Sequence, residues 1–205
     1  MSPLVLWLNQ LSVYASTPAF WGILAAGAII YLVGSWQLRL LALMLQYFFI
    51  GILFTQIFAD RPEIALLKLI IGWLVCGTLY LSARIREETT EDKRRFFWSP
   101  DLPFRALSMI VMTLMAYLAA QRYPLPFLPP TLAMTCFMLI VFAILFIGAE
   151  NDVVVVGVGI LNLLAALDIF YSAQDPGLLV TGLLVIINLL VALAISYLTV
   201  AEAPE

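Results

Sequence analysis

The sequence predicts an all-α polytopic membrane protein: seven transmembrane helices, arranged as two same-orientation three-helix blocks joined by a linking helix. Three observations carry that expectation. Of 205 residues, 64% are hydrophobic and 11% charged, at a mean hydropathy of +1.06, more apolar than a water-soluble core of this size requires. The apolar residues come in continuous runs of about 20, the length that crosses a bilayer as a helix, without the alternation of a lipid-facing strand. Only the stretch from Arg84 to Arg105 stays polar long enough to lie unambiguously in water. It holds Arg84, Arg86, Lys93, Arg94, Arg95 and Arg105, six of the ten Lys/Arg in the chain. By the positive-inside rule this loop is expected in the cytoplasm, and its acids weigh little in that assignment.

The composition also excludes several classes of function. There is no His, and Cys76 and Cys136 each sit inside an apolar run, so neither a disulfide nor a zinc site is expected. The formal charge of -3 says little about partners, because the acids gather at helix ends and in the loop. No basic footprint for nucleic acid is present. The start of the chain lacks the cationic region of a secretory signal, so the first apolar helix is expected to be retained.

Taken in order, Ser2-Pro3 can start a helix, with Ser as N-cap and Pro in the first helical position. Leu4, Trp7, Leu8 and Leu11 then fall on one face. Residues 3 to about 14 read as an amphipathic helix at the external interface, or as a partly ordered tail. Seven spans follow, at 19–36, 38–59, 63–84, 105–121, 131–149, 152–172 and 176–200. The fourth is the shortest, and Phe104 and Tyr123 extend it to the two interfaces. The chain thus divides into an external segment 1–18, a first block 19–84, a cytoplasmic loop 85–105 and a linking span 106–122. An external Pro-rich turn 123–130, a second block 131–200 and a cytoplasmic tail 201–205 complete it. This order makes the amino terminus external and the carboxyl terminus cytoplasmic.

A shift of 114 residues aligns Gly34 with Gly148, Ala59 with Ala173, Pro62 with Pro176 and Ser82 with Ser196. Both blocks then have a tight inner turn and an outer turn built from Asp and Pro, at Asp60/Pro62 and Asp175/Pro176. With one helix between them the blocks share an orientation, which describes a parallel repeat; convergent turn chemistry in a bundle is the other explanation.

Ionisable and amide side chains inside a span are the candidate functional residues, because each is costly there. Lys68 falls five residues after Glu63, in the outer leaflet. Its ammonium either snorkels to the headgroups near Asp60 or Glu63 or belongs to a polar path. Asp168 comes out at a compatible depth, either pairing with Lys68 or hydrated at a helix end. Asn162 and Asn188 lie near mid-membrane and are expected to hydrogen-bond to neighbouring helices. Gln46, between Leu45 and Tyr47, reads the same way. Small residues from Gly22 to Ala28, and at Gly157 and Gly159, mark close helix approaches; Gly157-Val-Gly159 follows no soluble strand and is not a nucleotide motif.

The layout resembles the amino-terminal half of the E component of hydrogenase-4. The resemblance rests on a near-zero inner turn, on Leu43-Met-Leu-Gln46-Tyr in the second span and on Ala65-Leu-Leu-Lys68-Leu-Ile-Ile in the third. The polar loop, linking span and external Leu125-Pro126 turn continue the likeness. The second block is similar to the K subunit of respiratory complex I and the C subunit of multisubunit sodium/proton antiporters. This likeness implies a non-catalytic subunit of a complex-I-like or membrane-bound hydrogenase-like assembly that forms or lines an ion or proton path. It would hold no cofactor and take no small-molecule substrate, and its partners would be other membrane subunits and the lipid bilayer. The resemblance assigns Gln46 to the polar axis. Where the relatives carry carboxylates in the second block, Gly159-Ile-Leu-Asn162-Leu163 and Val180-Thr181-Gly182-Leu183 have none. Under the repeat, Gly182 stands opposite Lys68. Aliphatic and amide groups do not exchange protons near neutral pH, so those stretches by themselves conduct none. A stand-alone transporter and a scaffold protein of an unrelated complex are the alternatives. No catalytic constellation for an enzyme is present.

Overall fold

The computed structural model describes residues 3–58, 61–89, 102–123, 125, 128–149, 152–174 and 177–201, with side chains described from residue 18 onward except at 87–89 and 178. Seven helices form: α1 (Pro3–Leu32), α2 (Trp36–Ile57), α3 (Pro62–Thr89), α4 (Leu102–Arg122), α5 (Pro130–Ala149), α6 (Val153–Gln174) and α7 (Leu178–Ala201). Each of α2 to α7 contains a stretch long and apolar enough to cross a membrane, and the apolar part of α1 runs from Pro18 to Leu32. The chain is an integral membrane protein of the expected class.

Two boundaries differ from the sequence reading. The expected break between an interfacial helix and the first span is absent, because α1 continues from Pro3 through Pro18 to Leu32. From Pro18 the helix rises only about 22 Å before it ends, short of a bilayer core of about 30 Å. The fourth span begins at Leu102 and reaches 21 residues, which removes its apparent shortness. At the polar loop, α3 carries helix as far as Thr89; residues 90–101 lie outside the described residues, as do residues 124, 126 and 127 of the Pro-rich turn.

Short connections make α1/α2 and α5/α6 antiparallel neighbours, and α3 and α7 pack onto α2 and α6 in turn. The blocks then meet like against like, α1 with α5, α2 with α6 and α3 with α7. The linking helix α4 lies outside this array against α5 and α1, with only Met109 and Ala116 buried.

Charge at one end of the bundle, here the loop end, closes the helix termini. Arg39 Nε donates to Val33 O at 2.6 Å and Arg105 Nη1 to Tyr31 O at 3.3 Å, so two guanidiniums serve carbonyls at the end of α1. Asp152 Oδ1 accepts the Val154 N–H at 3.2 Å at the start of α6 and pairs with Arg86 at 2.9 Å. The interior is apolar, with Phe142, Phe146, Leu53, Leu139 and Leu161 fully buried. Gly27 permits a close approach of the two blocks: a Cβ there would stand 2.3 Å from the ring of Phe142. The expected small-residue faces are therefore packing faces, as Gly22 against Phe49 and Gly157 against Ile195 also show.

Candidate functional site

The site is built where α2, α3, α6 and α7 converge, away from the loop end. Lys68 lies six residues into α3 and Asp168 six residues before the end of α6, which sets both about 9 Å below the same end of the bundle. The packing of α6 beside α7 and α7 beside α3 brings them together. Lys68 Nζ donates to Asp168 Oδ1 in an ion pair. It also donates to Ser172 Oγ at 3.0 Å. Ser172 is one turn beyond Asp168 on the same face of α6, which places its hydroxyl 3.3 Å from Asp168 Oδ1. Another side of the ammonium faces the ring of Phe54, 4.3 Å from its centroid.

Lys68 therefore does not snorkel. Its side chain is 4% exposed and that of Asp168 18%, so both charges are held inside the bundle. Two charges removed from water need each other and further hydrogen bonds to be tolerated, and Ser172 and the Phe54 ring supply the remainder for the ammonium. Phe54 and Asp168 are themselves related by the 114-residue repeat shift, so one lysine lies between equivalent positions of the two blocks. At its own counterpart, Gly182, a Cβ would meet open space.

Beside the ion pair is a cavity of about 20 Å³, lined by Tyr47, Phe54, Lys68, Asp168 and Asn188 among others. That is room for one water molecule or one small ion. The hydroxyl of Tyr47 lies beside the Asn188 carboxamide, yet neither Tyr47 Oη nor Asn188 Oδ1 makes a direct hydrogen bond. Buried polar atoms without partners are uncommon. Elsewhere Ser82, Thr135 and Thr199 each donate to the carbonyl four residues earlier in their own helix, at 2.8–2.9 Å, while Ser35 Oγ, Thr181 Oγ1, Ser196 Oγ and Gln46 Oε1 are also buried without a direct hydrogen bond. Gly72 on α3 holds the ring of Tyr47 in place, since a Cβ there would come within 2.6 Å of it.

Gln46 is not part of the ion-pair cluster. Its Nε2 donates to Asn162 Oδ1 at 2.6 Å, bonding the two central helices, while Asn162 Nδ2 donates to Val158 O at 2.9 Å. A crevice with no room for water shares Tyr47, Ile50 and Ala165 with the cavity and leads to this amide pair. The expected interhelical bond of Asn162 is therefore formed. Asn188 Oδ1 has no direct partner, although the Asn188 side chain lies against Tyr47 of α2 and lines the cavity.

Sequence reasoning did not pick out Tyr47, Ser172 or Phe54. Ser172 carried a readable signal, since it follows Asp168 by four residues, whereas an aromatic ring inside a span has no distinguishing pattern. Comparison with known proteins adds no assignment: no family model, curated protein or solved structure matches this chain.

Proposed function

We propose that this integral membrane protein is a non-catalytic, cofactor-free subunit of a complex-I-like or membrane-bound hydrogenase-like assembly, and that it lines an ion or proton path with Lys68 and Asp168. The observation that carries the reading is the ion pair itself: it joins one block to the other, inside the bundle, beside a cavity whose remaining oxygens have no partners. A purely structural contact in a membrane is served by an amide pair such as Gln46 and Asn162, at lower desolvation cost than two charges. The carboxylates missing from the two stretches read in the second block have a replacement in Asp168.

The test is purification in a gentle detergent followed by ion movement in vesicles. Antiporter-like and hydrogenase-like proteins should come out with the chain, and Lys68→Gln should lower coupled ion movement of the assembly while leaving its composition unchanged. Recovery of the chain alone, with wild-type ion movement in Lys68→Gln, would overturn the reading. A stand-alone transporter is the second reading, favoured by the two like-against-like blocks with charge at their junction; ion transport by the purified chain alone would establish it. In either case we place the protein in the inner membrane with the amino terminus external and the carboxyl terminus cytoplasmic. Cysteines introduced at 122–130 should then be labelled from outside and those at 87–93 spared.

A further inference from the structure

We propose that Asp168, together with Ser172, Tyr47 and Asn188, forms a binding site for a small monovalent cation that the Lys68 ammonium occupies as a tethered competitor. The proposal rests on the reading of this junction as part of an ion path and names what the path would bind. The ammonium already lies in a cation's surroundings, with the Asp168 carboxylate on one side, the Ser172 hydroxyl at 3.0 Å on another and the Phe54 ring face at 4.3 Å. These are a charged oxygen, a neutral oxygen and the negative face of a ring, which attract any compact cation.

The adjoining cavity extends this set. Tyr47 is 7% exposed; it and Asn188 both line this space for one small ion, and Tyr47 Oη and Asn188 Oδ1 are buried without a well-formed hydrogen bond. Asp168 and Ser172 on α6 thus hold the ammonium, and Tyr47 on α2 and Asn188 on α7 line the gap beside it together with Asp168. A single carboxylate in a low-dielectric interior balances one positive charge well and two poorly, so the lysine and a free cation exclude each other. Withdrawal of the ammonium would leave the carboxylate, the hydroxyl and two unpartnered oxygens to a free ion. Oxygen ligands favour hard cations, and the single negative charge favours a monovalent one.

The experiment removes the tethered competitor and asks whether a free cation takes its place. Wild-type protein, Lys68→Ala, Lys68→Gln and Lys68→Ala/Asp168→Asn are purified in detergent and melted at fixed pH in NaCl, LiCl, KCl or methylammonium chloride. N-methyl-D-glucamine chloride holds the ionic strength constant. Lys68→Ala should show a saturable rise in Tm of about 3 °C or more with at least one small cation or with methylammonium, which restores the lost head group. The wild type and the double variant should move by less than about 1 °C, and adding Tyr47→Phe to Lys68→Ala should weaken the apparent affinity several-fold. Responses of Lys68→Ala and Lys68→Gln no larger than that of the double variant would overturn the site. Failure of both single variants to accumulate with the cations present from lysis onward would also count against it, since a competent site would recover its charge. Saturable binding without ion movement by the assembly would support the site and remove the path; ion movement without binding would do the reverse.

Discussion

The two blocks of this protein meet at both sides of the bundle, and the two meetings are chemically opposite. Where α1 packs on α5, the rings of Phe142 and Phe146 stack at 5.8 Å with planes 6° apart, Tyr31 adds its ring at 6.1 Å, and Gly27 lets Phe142 reach the helix backbone. Where α2 and α3 face α6 and α7, the contact is an ion pair, a cavity and two oxygens without partners. Lipid is as apolar as a leucine side chain, so the first meeting is held by close van der Waals fit. A well-filled contact has essentially one arrangement, whereas a hollow polar one admits alternative partners for the same groups. The α1–α5 contact is thus filled by rings, whereas the more extensive α3–α7 side carries the ion pair and the cavity.

That contrast can be broken most severely at the ion pair. Asp168→Asn leaves the Lys68 ammonium buried without its counter-charge and should cost about 4 kcal/mol of stability in detergent unfolding. Adding Lys68→Gln should recover at least half of that loss, and purely additive effects would mean the two residues do not interact. At the other meeting, Phe142→Ala opens a void between α1 and α5 and should cost about 3 kcal/mol by the same measurement, with the proposed cation response unaltered in the Lys68→Ala background.

Smaller changes sharpen the comparison. Gly72→Ala drives a methyl group into the Tyr47 ring and should cost about 2 kcal/mol, read as a lower Tm together with altered Tyr47 exposure by ultraviolet difference spectroscopy. Gln46→Leu removes the donor to Asn162 and should cost about 1 kcal/mol, with a non-additive Gln46→Leu/Asn162→Leu cycle marking the bond. Asn188→Leu is expected to shift stability by no more than about 0.5 kcal/mol, because its Oδ1 has no partner to lose. A loss as large as that of Gln46→Leu would show that Asn188 is a packing element and would place the cavity among the structural contacts.

The sequence by itself determined the membrane class and the order of the long apolar helices, because run length and a rise of about 1.5 Å per residue depend only on local chain geometry. It placed Lys68 and Asp168 at one level of the bilayer for the same reason. Which groups meet at that level was decided by tertiary structure. Gln46 and Tyr47 are consecutive and point about 100° apart on α2, and only the rotation of that helix sends the amide to Asn162 and the hydroxyl to the cavity. Asn162 and Asn188 look alike as mid-membrane amides, yet the oxygen of one accepts from Gln46 and that of the other has no direct partner beside Tyr47. The continuity of α1 through Pro18 belongs to the same category, since lost backbone hydrogen bonds in a membrane bundle are tolerated or not according to what packs beside them. Depth is a property of the chain, whereas the direction a side chain faces is a property of its neighbours.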